Sequence, residues 1–278
     1  MTVIFSILIG LLATLGQVHA EERKGEVPDP CSGPSALLAV LDRPTVSDSA
    51  CAVPQGRVVI EMGFQHANVR GEGGGTTDTY PQAVARIGLP GRNEFVFLPP
   101  NYNRQRTGSS ADHVTQDTSG LSAITFGLKH ELGYTRYWLG SVEALFTLPS
   151  GGTAFGSRGL GVAFNGIAAY ALSDDVGLSV ELGLSSQTAA TLTGGERFTA
   201  LISNFVATWQ PRERLQFYGE VFGQSSTGPG EGAGYNADAG IQYLITPSFE
   251  VDLEGGVRLC GNLGGYTHYF GAGMGFRF

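Results

Sequence analysis

The mature part of this sequence has no long hydrophobic run. Beyond Ala20, no stretch approaches the roughly 18 to 20 consecutive apolar residues that a membrane-spanning helix needs, which excludes a helical inner-membrane protein. Charge is also scarce, because Asp, Glu, Lys and Arg make up 15% of the chain, against about a quarter in typical soluble proteins. We therefore expect something other than water to cover much of the surface.

Basic clusters and ligand motifs are missing as well. The formal net charge is -8 and no Lys/Arg cluster occurs, so the positive surface of a nucleic-acid binder is absent. No metal-ligand spacing, phosphate-binding loop or EF-hand loop is found. We expect no nucleic-acid partner and no cofactor.

The first twenty residues are typical of an export signal. A continuous apolar run from Val3 to Leu15 precedes Val18-His19-Ala20, a small-x-small-like processing site, although the usual basic residue ahead of the run is missing. The run is too short to span a membrane as a helix. We predict that residues 1–20 are a signal peptide cleaved after Ala20.

From Arg57 onward, one unit repeats: about ten residues of alternating apolar and polar character, then a turn or loop. The alternation is clearest along residues 176–185 and 249–259. Each such segment has one apolar face, which a soluble sandwich would bury in a core and a membrane barrel would turn to lipid. Alternation alone does not choose between these two folds.

The lengths of the connections favour the barrel. Tight turns alternate with longer Gly/Ser/Thr-rich connections, as periplasmic turns alternate with extracellular loops in outer-membrane barrels. The fold class predicted is all-β, a transmembrane antiparallel β-barrel of about 12 strands over residues 57–278, with both termini on the tight-turn side. The tight turns lie near residues 90–93, 133–135, 173–175, 211–213 and 246–248, and the longer loops around 70–79, 100–119, 149–158, 186–196, 225–233 and 261–265.

The final strand, Tyr266–Phe278, alternates and ends in Phe278. Such a strand is the signal that the barrel-assembly machinery of the outer membrane recognises. We therefore expect this machinery and outer-membrane lipid as partners, and the outer membrane of a Gram-negative bacterium as the location.

Residues 21–56, ahead of the first strand, do not alternate. Within them, Ser35–Leu41 is predicted to form one short helix. In an oxidising compartment a disulfide between Cys31 and Cys51 is expected, and Cys260 stays unassigned. The segment is either a periplasmic extension or a plug in the lumen. The apolar ALLAVL needs cover in a plug, but the sequence leaves both alternatives open.

Charged residues on the polar faces of the strands are candidates for lining the lumen. They act either as a hydrogen-bonded, ion-paired filling that fixes strand register or as the lining of a narrow water-filled path biased against anions. The candidates are Glu61, Arg86, Lys129, Glu131, Glu143, Glu181, Glu220, Asp238, Asp252, Glu254, Arg258 and Arg277.

Several segments together resemble the outer-membrane transporters grouped with the meta-pathway of phenol degradation. They include LDRPTVSDSACAVPQGRVVIEMGFQ, NEFVFLPPNY, GLSAITFGLKHELG, EALFTLPSGG, FGSRGLGVAFNG and HYFGAGMGFRF, and the resemblance covers most of the mature chain. It implies a porin-like channel for passive uptake of small, aromatic or otherwise hydrophobic molecules. It supplies no catalytic or ligand residues.

Two other functions remain open at this stage. One is a structural or adhesive surface barrel, and the other is an outer-membrane lipid hydrolase with a Ser-His pair and an Asn or Asp that orients the His. None of His66, His113, His130 and His268 has a Ser two residues further along the same strand face, which disfavours the hydrolase. We expect a protein that is not an enzyme.

Overall fold

A computed structural model describes residues 27–70, 74–108 and 115–278. The predicted signal peptide, residues 1–20, and His113 lie outside the described residues. Fifteen strands and one short α-helix follow each other in the described chain. They are α1 (Ala36–Val40), β1 (Val58–Val69), β2 (Gly75–Tyr80), β3 (Val84–Leu89), β4 (Asn93–Leu98), β5 (Tyr102–Gly108), β6 (Thr115–Leu121), β7 (Thr125–Tyr134), β8 (Trp138–Thr147), β9 (Gly161–Ala171), β10 (Val176–Thr188), β11 (Arg197–Arg212), β12 (Leu215–Gln224), β13 (Gly234–Thr246), β14 (Phe249–Cys260) and β15 (Tyr266–Arg277).

The strands form one antiparallel sheet that closes on itself, because β15 pairs with β1 along almost the whole of both strands. β2 continues into β3, β4 into β5, and β6 into β7, with a three-residue break in each, at residues 81–83, 99–101 and 122–124. Counting each broken strand once, the ring has twelve strands, and the prediction of a closed β-barrel of about twelve strands is confirmed.

Two of the predicted loops contain strands. Residues 70–79 and 100–119 were expected to be loops, but β2, β5 and β6 pair with one another in this part of the barrel. These strands are rich in Thr, Asn, Gln and Arg and have no apolar face, so the alternation of a lipid-facing strand is absent. Arg104 and Asp117 instead form an exposed ion pair across β5 and β6, with 2.5 Å between nitrogen and oxygen.

The outer face carries exposed Leu, Val and Phe side chains, and aromatic rings gather at its tight-turn end. The ring centroid of Trp138 lies 4.6 Å from that of Tyr170, and the Trp209 ring lies 5.5 Å from Phe217. Both tryptophans are about half exposed. Their position fits the aromatic girdle at the membrane interface of outer-membrane barrels.

The C-terminal Phe278 completes the closing seam. Its backbone N–H donates to the carbonyl of Val58 at 2.9 Å, and its carbonyl accepts from the N–H of Val58 at 3.3 Å. The side chain is 64% exposed. Phe278 therefore lies at the tight-turn rim, beside the start of β1.

Ahead of β1, helix α1 spans Ala36–Val40, within the segment Ser35–Leu41 in which a short helix was predicted. No helix in the described part of the chain is long and apolar enough to cross a membrane.

Candidate functional site

The interior of the barrel is occupied by residues 31–53, here called the plug. Side chains of α1 and its C-terminal neighbour, among them Leu37, Val40 and Leu41, are buried against wall residues Val59 and Leu244. The other plug contacts, described below, reach strands all round the ring. Residues 31–53, which belong to the segment 21–56 ahead of the first strand, thus lie within the ring of strands.

A disulfide closes the plug on itself. Cys31 and Cys51 are bonded, with 5.5 Å between their Cα atoms, and both are buried. The predicted pair is therefore present. Cys260 is a free, exposed cysteine at the end of β14, far along the chain from the plug.

Arg86, on β3, is the centre of the ionic contact between wall and plug. Its guanidinium is fully buried and lies 2.6 Å from a carboxylate oxygen of Glu94, 3.3 Å from Glu61 and 3.1 Å from Asp42 of the plug. It also donates to the plug carbonyls of Val40 and, at 3.2 Å, Cys51. A buried cation needs such a complete set of partners, since its desolvation is costly.

Lys129, on β7, also binds Asp42 of the plug. Its ammonium lies 3.5 Å from Asp42 and 3.7 Å from Glu143 of β8. The side chain of Lys129 is fully buried. Asp42 thus sits between two buried cations on the wall, and these fix the plug laterally.

Arg43 binds the wall at the closing seam between β1 and β15. Its guanidinium lies 3.0 Å from Asp252 and 3.3 Å from Glu254, both on β14, and donates to Gln82 at 3.0 Å. Its backbone N–H donates to Glu61 at 2.7 Å. Both residues of the Asp42-Arg43 dipeptide are therefore ion-paired to the wall.

Other wall carboxylates bind the backbone of the plug. The two oxygens of Glu220 accept hydrogen bonds from the N–H groups of Val46 and Ser47, both at 2.7 Å. Glu181 accepts from the N–H of Asp48 at 2.9 Å. These bonds satisfy carboxyl oxygens of Glu220 and Glu181, whose side chains are buried beside the plug.

The surroundings of Asp48 disfavour the charged form of its side chain. Burial raises the pKa of this plug carboxyl well above its ordinary value, and the nearby Glu143 raises it further, while Lys129 opposes the shift. Asp48 therefore retains its proton over a wider pH range than a solvated aspartate does.

Glycines on the wall make room for the plug. A Cβ atom at Gly275 of β15 would lie 2.6 Å from the side chain of Leu41, and one at Gly63 or Gly273 would collide with the guanidinium of Arg43. On β3, a Cβ at Gly88 would collide with the carbonyl oxygen of Pro54. The shape of the wall is therefore complementary to the plug at these positions.

The predicted lumen residues fall into two groups. Arg258 and Arg277 lie at opposite ends of β14 and β15, are partly exposed, and donate to the carbonyls of Gly261 and Pro247. The remaining ten are buried, namely Glu61, Arg86, Lys129, Glu131, Glu143, Glu181, Glu220, Asp238, Asp252 and Glu254. Within this group, Asp238 accepts a hydrogen bond from the phenol of Tyr269 at 2.5 Å rather than from the plug.

Sequence reasoning missed several residues of this site. Glu94 and Glu250 are fully buried wall carboxylates in alternating segments, so the pattern that identified Glu61 was available for them too. Asp42, Arg43 and Asp48 lie in the segment without periodicity, where no pattern indicates which side chains face the wall.

A gap of about 350 Å³ lies between the plug and one side of the wall. It is bordered by Thr45, Ser47 and Asp48 of the plug and by the tight-turn halves of β8 to β13. The wall side chains here are mostly neutral. They include Leu139, Ser179, Val206, Thr208, Gln216 and Gln242, while the charged Arg136, Asp174 and Asp175 lie at the tight-turn rim.

The histidines of the described residues hydrogen-bond to Asp78, Asn68, Asn93 and Thr267, and no serine hydroxyl bonds a histidine among them. In the same ranges, no group of three or more His, Cys, Asp or Glu could hold a metal ion.

A closed twelve-stranded ring with apolar residues outside and buried charges inside is the architecture of an outer-membrane β-barrel. The chain belongs to the family described as "Putative MetA-pathway of phenol degradation", whose profile matches residues 41–278. No curated protein sequence matches the chain.

Solved structures share the fold at low sequence identity. An outer membrane channel from Pseudomonas putida F1 is similar over 82% of this chain and 98% of its own, with a TM-score of 0.62 and 12% identity. The NanC porin is similar over 79% and 98%, with a TM-score of 0.51 and 10% identity. The transport unit of the autotransporter AIDA-I from Escherichia coli covers 88% and 96%, with a TM-score of 0.50 and 10% identity.

Proposed function

We propose that this protein is an outer-membrane channel for passive uptake of small molecules, with residues 31–53 as its built-in plug. The observation that carries the proposal is the plug itself. It fills a closed barrel through ion pairs and hydrogen bonds to wall residues such as Arg86 and Glu220, and leaves one gap of about 350 Å³ beside it. A purely structural barrel has no need of a lumen that is partly open.

The proposed solutes are small and aromatic or otherwise hydrophobic. The family description links the chain to phenol degradation, and the similar proteins include channels and porins. The neutral lining of the gap supports the same solute class, because it offers apolar surface with a few hydroxyl and amide groups. We propose no catalytic role.

The remaining assignments complete this proposal. Residues 1–20 act as a cleaved signal peptide, residues 21–56 precede the barrel, and residues 57–278 form it. The barrel-assembly machinery recognises the last strand with Phe278, and outer-membrane lipid contacts the apolar outer face. The twelve charged residues from Glu61 to Arg277 named above line the path or fill it.

Conductance in planar bilayers tests the proposal. Purified mature protein is compared with a variant that lacks residues 21–56, each with phenol or benzoate added to one side. We expect discrete steps in the mature protein, partial block by the aromatic solute, and larger steps without the plug. Heat-modifiable migration in gel electrophoresis confirms that both barrels are folded.

Folded barrels that stay silent in both forms would contradict the channel and would favour a structural role. Steps that are equal with and without residues 21–56 would show that the plug does not restrict the path.

A further inference from the structure

The plug consists of two parts that are held differently. Residues 31–42 and 49–53, here called the plug body, carry the disulfide, helix α1 and the contacts to Arg86 and Lys129. Residues 44–48, here called the arch, project from it. The N–H of Ser49 donates to the carboxylate of Asp42 at 2.8 Å, so the two ends of the arch meet at the body.

Both flanks of the arch are fixed independently of the arch. Arg43 is bound to Asp252 and Glu254 on one side, and its carbonyl accepts from the side-chain amide of Gln242 at 3.0 Å. On the other side, the Ser49 hydroxyl donates to the carbonyl of Ala39 at 2.5 Å. Movement of the arch therefore leaves these anchors in place.

Between the flanks, the backbone of the arch is held to the wall by the hydrogen bonds of two carboxylates. Glu220 accepts from Val46 and Ser47, and Glu181 accepts from Asp48. These bonds are made by backbone N–H groups of the arch. Two arch side chains add contacts, since the Thr45 hydroxyl donates to the Asp42 carbonyl at 2.8 Å and the Asp48 carboxyl lies beside Glu143. Displacement of the arch breaks these contacts as well as the carboxylate bonds.

The arch is accessible on two sides. Thr45, Ser47 and Asp48 border the gap toward the tight-turn end. Val46 does not line that gap, yet it is 50% exposed although Ser47 beside it is buried. The arch is therefore also accessible on a side that does not face the gap.

We propose that the channel opens by displacement of the arch alone, with Glu220 and Glu181 as its latch, and that a neutral small aromatic solute passes between the plug body and the wall from β9 to β12. The proposal rests on the channel function proposed above. The hydroxyl, amide and aliphatic side chains of the gap suit a neutral ring with one polar group. Of the two cations that border the gap, Arg43 is already paired with Asp252 and Glu254, and Arg136 lies at the tight-turn rim.

Hydrogen exchange read by mass spectrometry tests the latch without requiring conduction. We expect Glu220→Ala to speed amide exchange in peptides that cover the arch about tenfold or more, and to leave peptides of α1 unchanged. Glu220→Gln, which keeps one acceptor oxygen, has a smaller effect. Glu250→Ala is the matched control, because Glu250 is a buried wall carboxylate with no hydrogen bond to the plug.

Fixing the plug body tests whether it must move. In a Cys260→Ser background, cysteines replace Leu41 and Gly275, whose side-chain positions are close enough for a disulfide. The expected result is that the oxidised, mass-verified variant still opens and that its open fraction still rises with Glu220→Ala. The same channel without the added cysteine pair controls for the oxidant.

Filling the gap tests the solute path. Ser179→Trp places a large side chain in the gap, and Val180→Trp places the same side chain on the outer face of the same strand. We expect Ser179→Trp to lower the conductance at least twofold and to remove block by phenol, and Val180→Trp to change neither. Benzoate, the charged counterpart, should block less than phenol in every variant.

Some results would overturn the arch proposal and leave the channel standing. They are loss of all openings in the disulfide-fixed variant while the parent conducts, equal exchange in the Glu220→Ala and Glu250→Ala variants, or unchanged phenol block in Ser179→Trp. A parent protein that never conducts would contradict the channel function itself, whereas the exchange measurement would still show whether the arch is held by Glu220.

Discussion

The plug meets the barrel wall in two chemically different ways. On the side of β3 and β7, buried cations of the wall bind a plug side chain, Asp42, at 3.1 and 3.5 Å. On the side of β10 and β12, wall carboxylates accept hydrogen bonds from backbone N–H groups of the plug. The first contact depends on the side chain of Asp42, whereas the second uses backbone groups that almost any residue would supply. One side of the plug is therefore held by a specific side chain, and the other side is held through its backbone.

The largest effect is expected from the ionic side. Arg86→Met leaves Asp42, Glu61 and Glu94 buried without their shared cation, and breaking a buried pair in this way costs about 3 to 5 kcal/mol. We expect the plug to become sensitive to protease and the conductance to rise. Limited proteolysis of the folded barrel measures this.

The control for that change is Arg104→Met, which removes an exposed cation paired with Asp117. A fully exposed pair contributes little to stability because solvent screens it, so the plug should stay protected. Equal protease sensitivity in the two variants would show that Arg86 does not hold the plug.

The next largest effect is expected from removing the disulfide of the plug. Replacing both Cys31 and Cys51 by Ser removes a link across 20 residues and should lower the stability of the docked plug by roughly 3 kcal/mol. We expect faster hydrogen exchange in α1 and an unchanged melting temperature of the barrel. A barrel that melts earlier by the same free energy would mean that plug and wall unfold as one unit.

A smaller effect is expected from the shape of the wall. Gly275→Val places methyl groups against Leu41, and overpacking of this kind costs about 1 to 3 kcal/mol. The plug should loosen although no plug residue is changed, as accelerated exchange in α1 would show. Gly219→Val is the control, because a Cβ at Gly219 meets no atom within 4 Å. Loosening in both variants would point to a general effect on the strands.

The smallest effect is a pH dependence at Asp48. Its pKa is raised by burial and by Glu143 and Asp42, against Lys129, and its backbone is bound by Glu181. The docked form therefore binds a proton that the released form loses as the pH rises above the ordinary aspartate value. Docking should weaken as the pH rises through the window between the ordinary and the raised pKa.

Asp48→Asn should remove this pH dependence and hold the arch closed at high pH. Exchange of arch peptides at pH 5 and pH 9 is the measurement. A variant that retains the full pH dependence of the parent protein would assign the effect to another group.

The sequence predicted the wall far better than the plug. Strands that face lipid on one side must alternate, and the closing strand and the five tight turns follow from that pattern. β2, β5 and β6 were missed because their polar residues carry no lipid-facing stripe. Glu94 could have been found on β4 by the same alternation as Glu61.

For the site itself, the sequence predicted the wall residues but not the plug residues that bind them. Wall carboxylates such as Glu220 follow from the side-chain period of two along a strand. Arg43 and the arch lie in irregular chain, where the direction of each side chain is set by the docked conformation. Their partners are about 170 to 210 residues away in sequence, as for Glu220 and Asp252, so no local pattern could connect them.

The wall residues that contact Arg43 of the plug lie at the seam where the first and last strands of the barrel pair. Gly63 and Glu61 lie on the first strand, whereas Gly273 and Asp252 belong to the last two, and Arg43 contacts all four. The Arg43 contacts on β1 are available as soon as that strand has formed. Those on β14 and β15 are available only after the end of the chain has folded. The full seat of the plug therefore exists only when the first and last strands have joined, and the docked plug then links the two ends of the polypeptide.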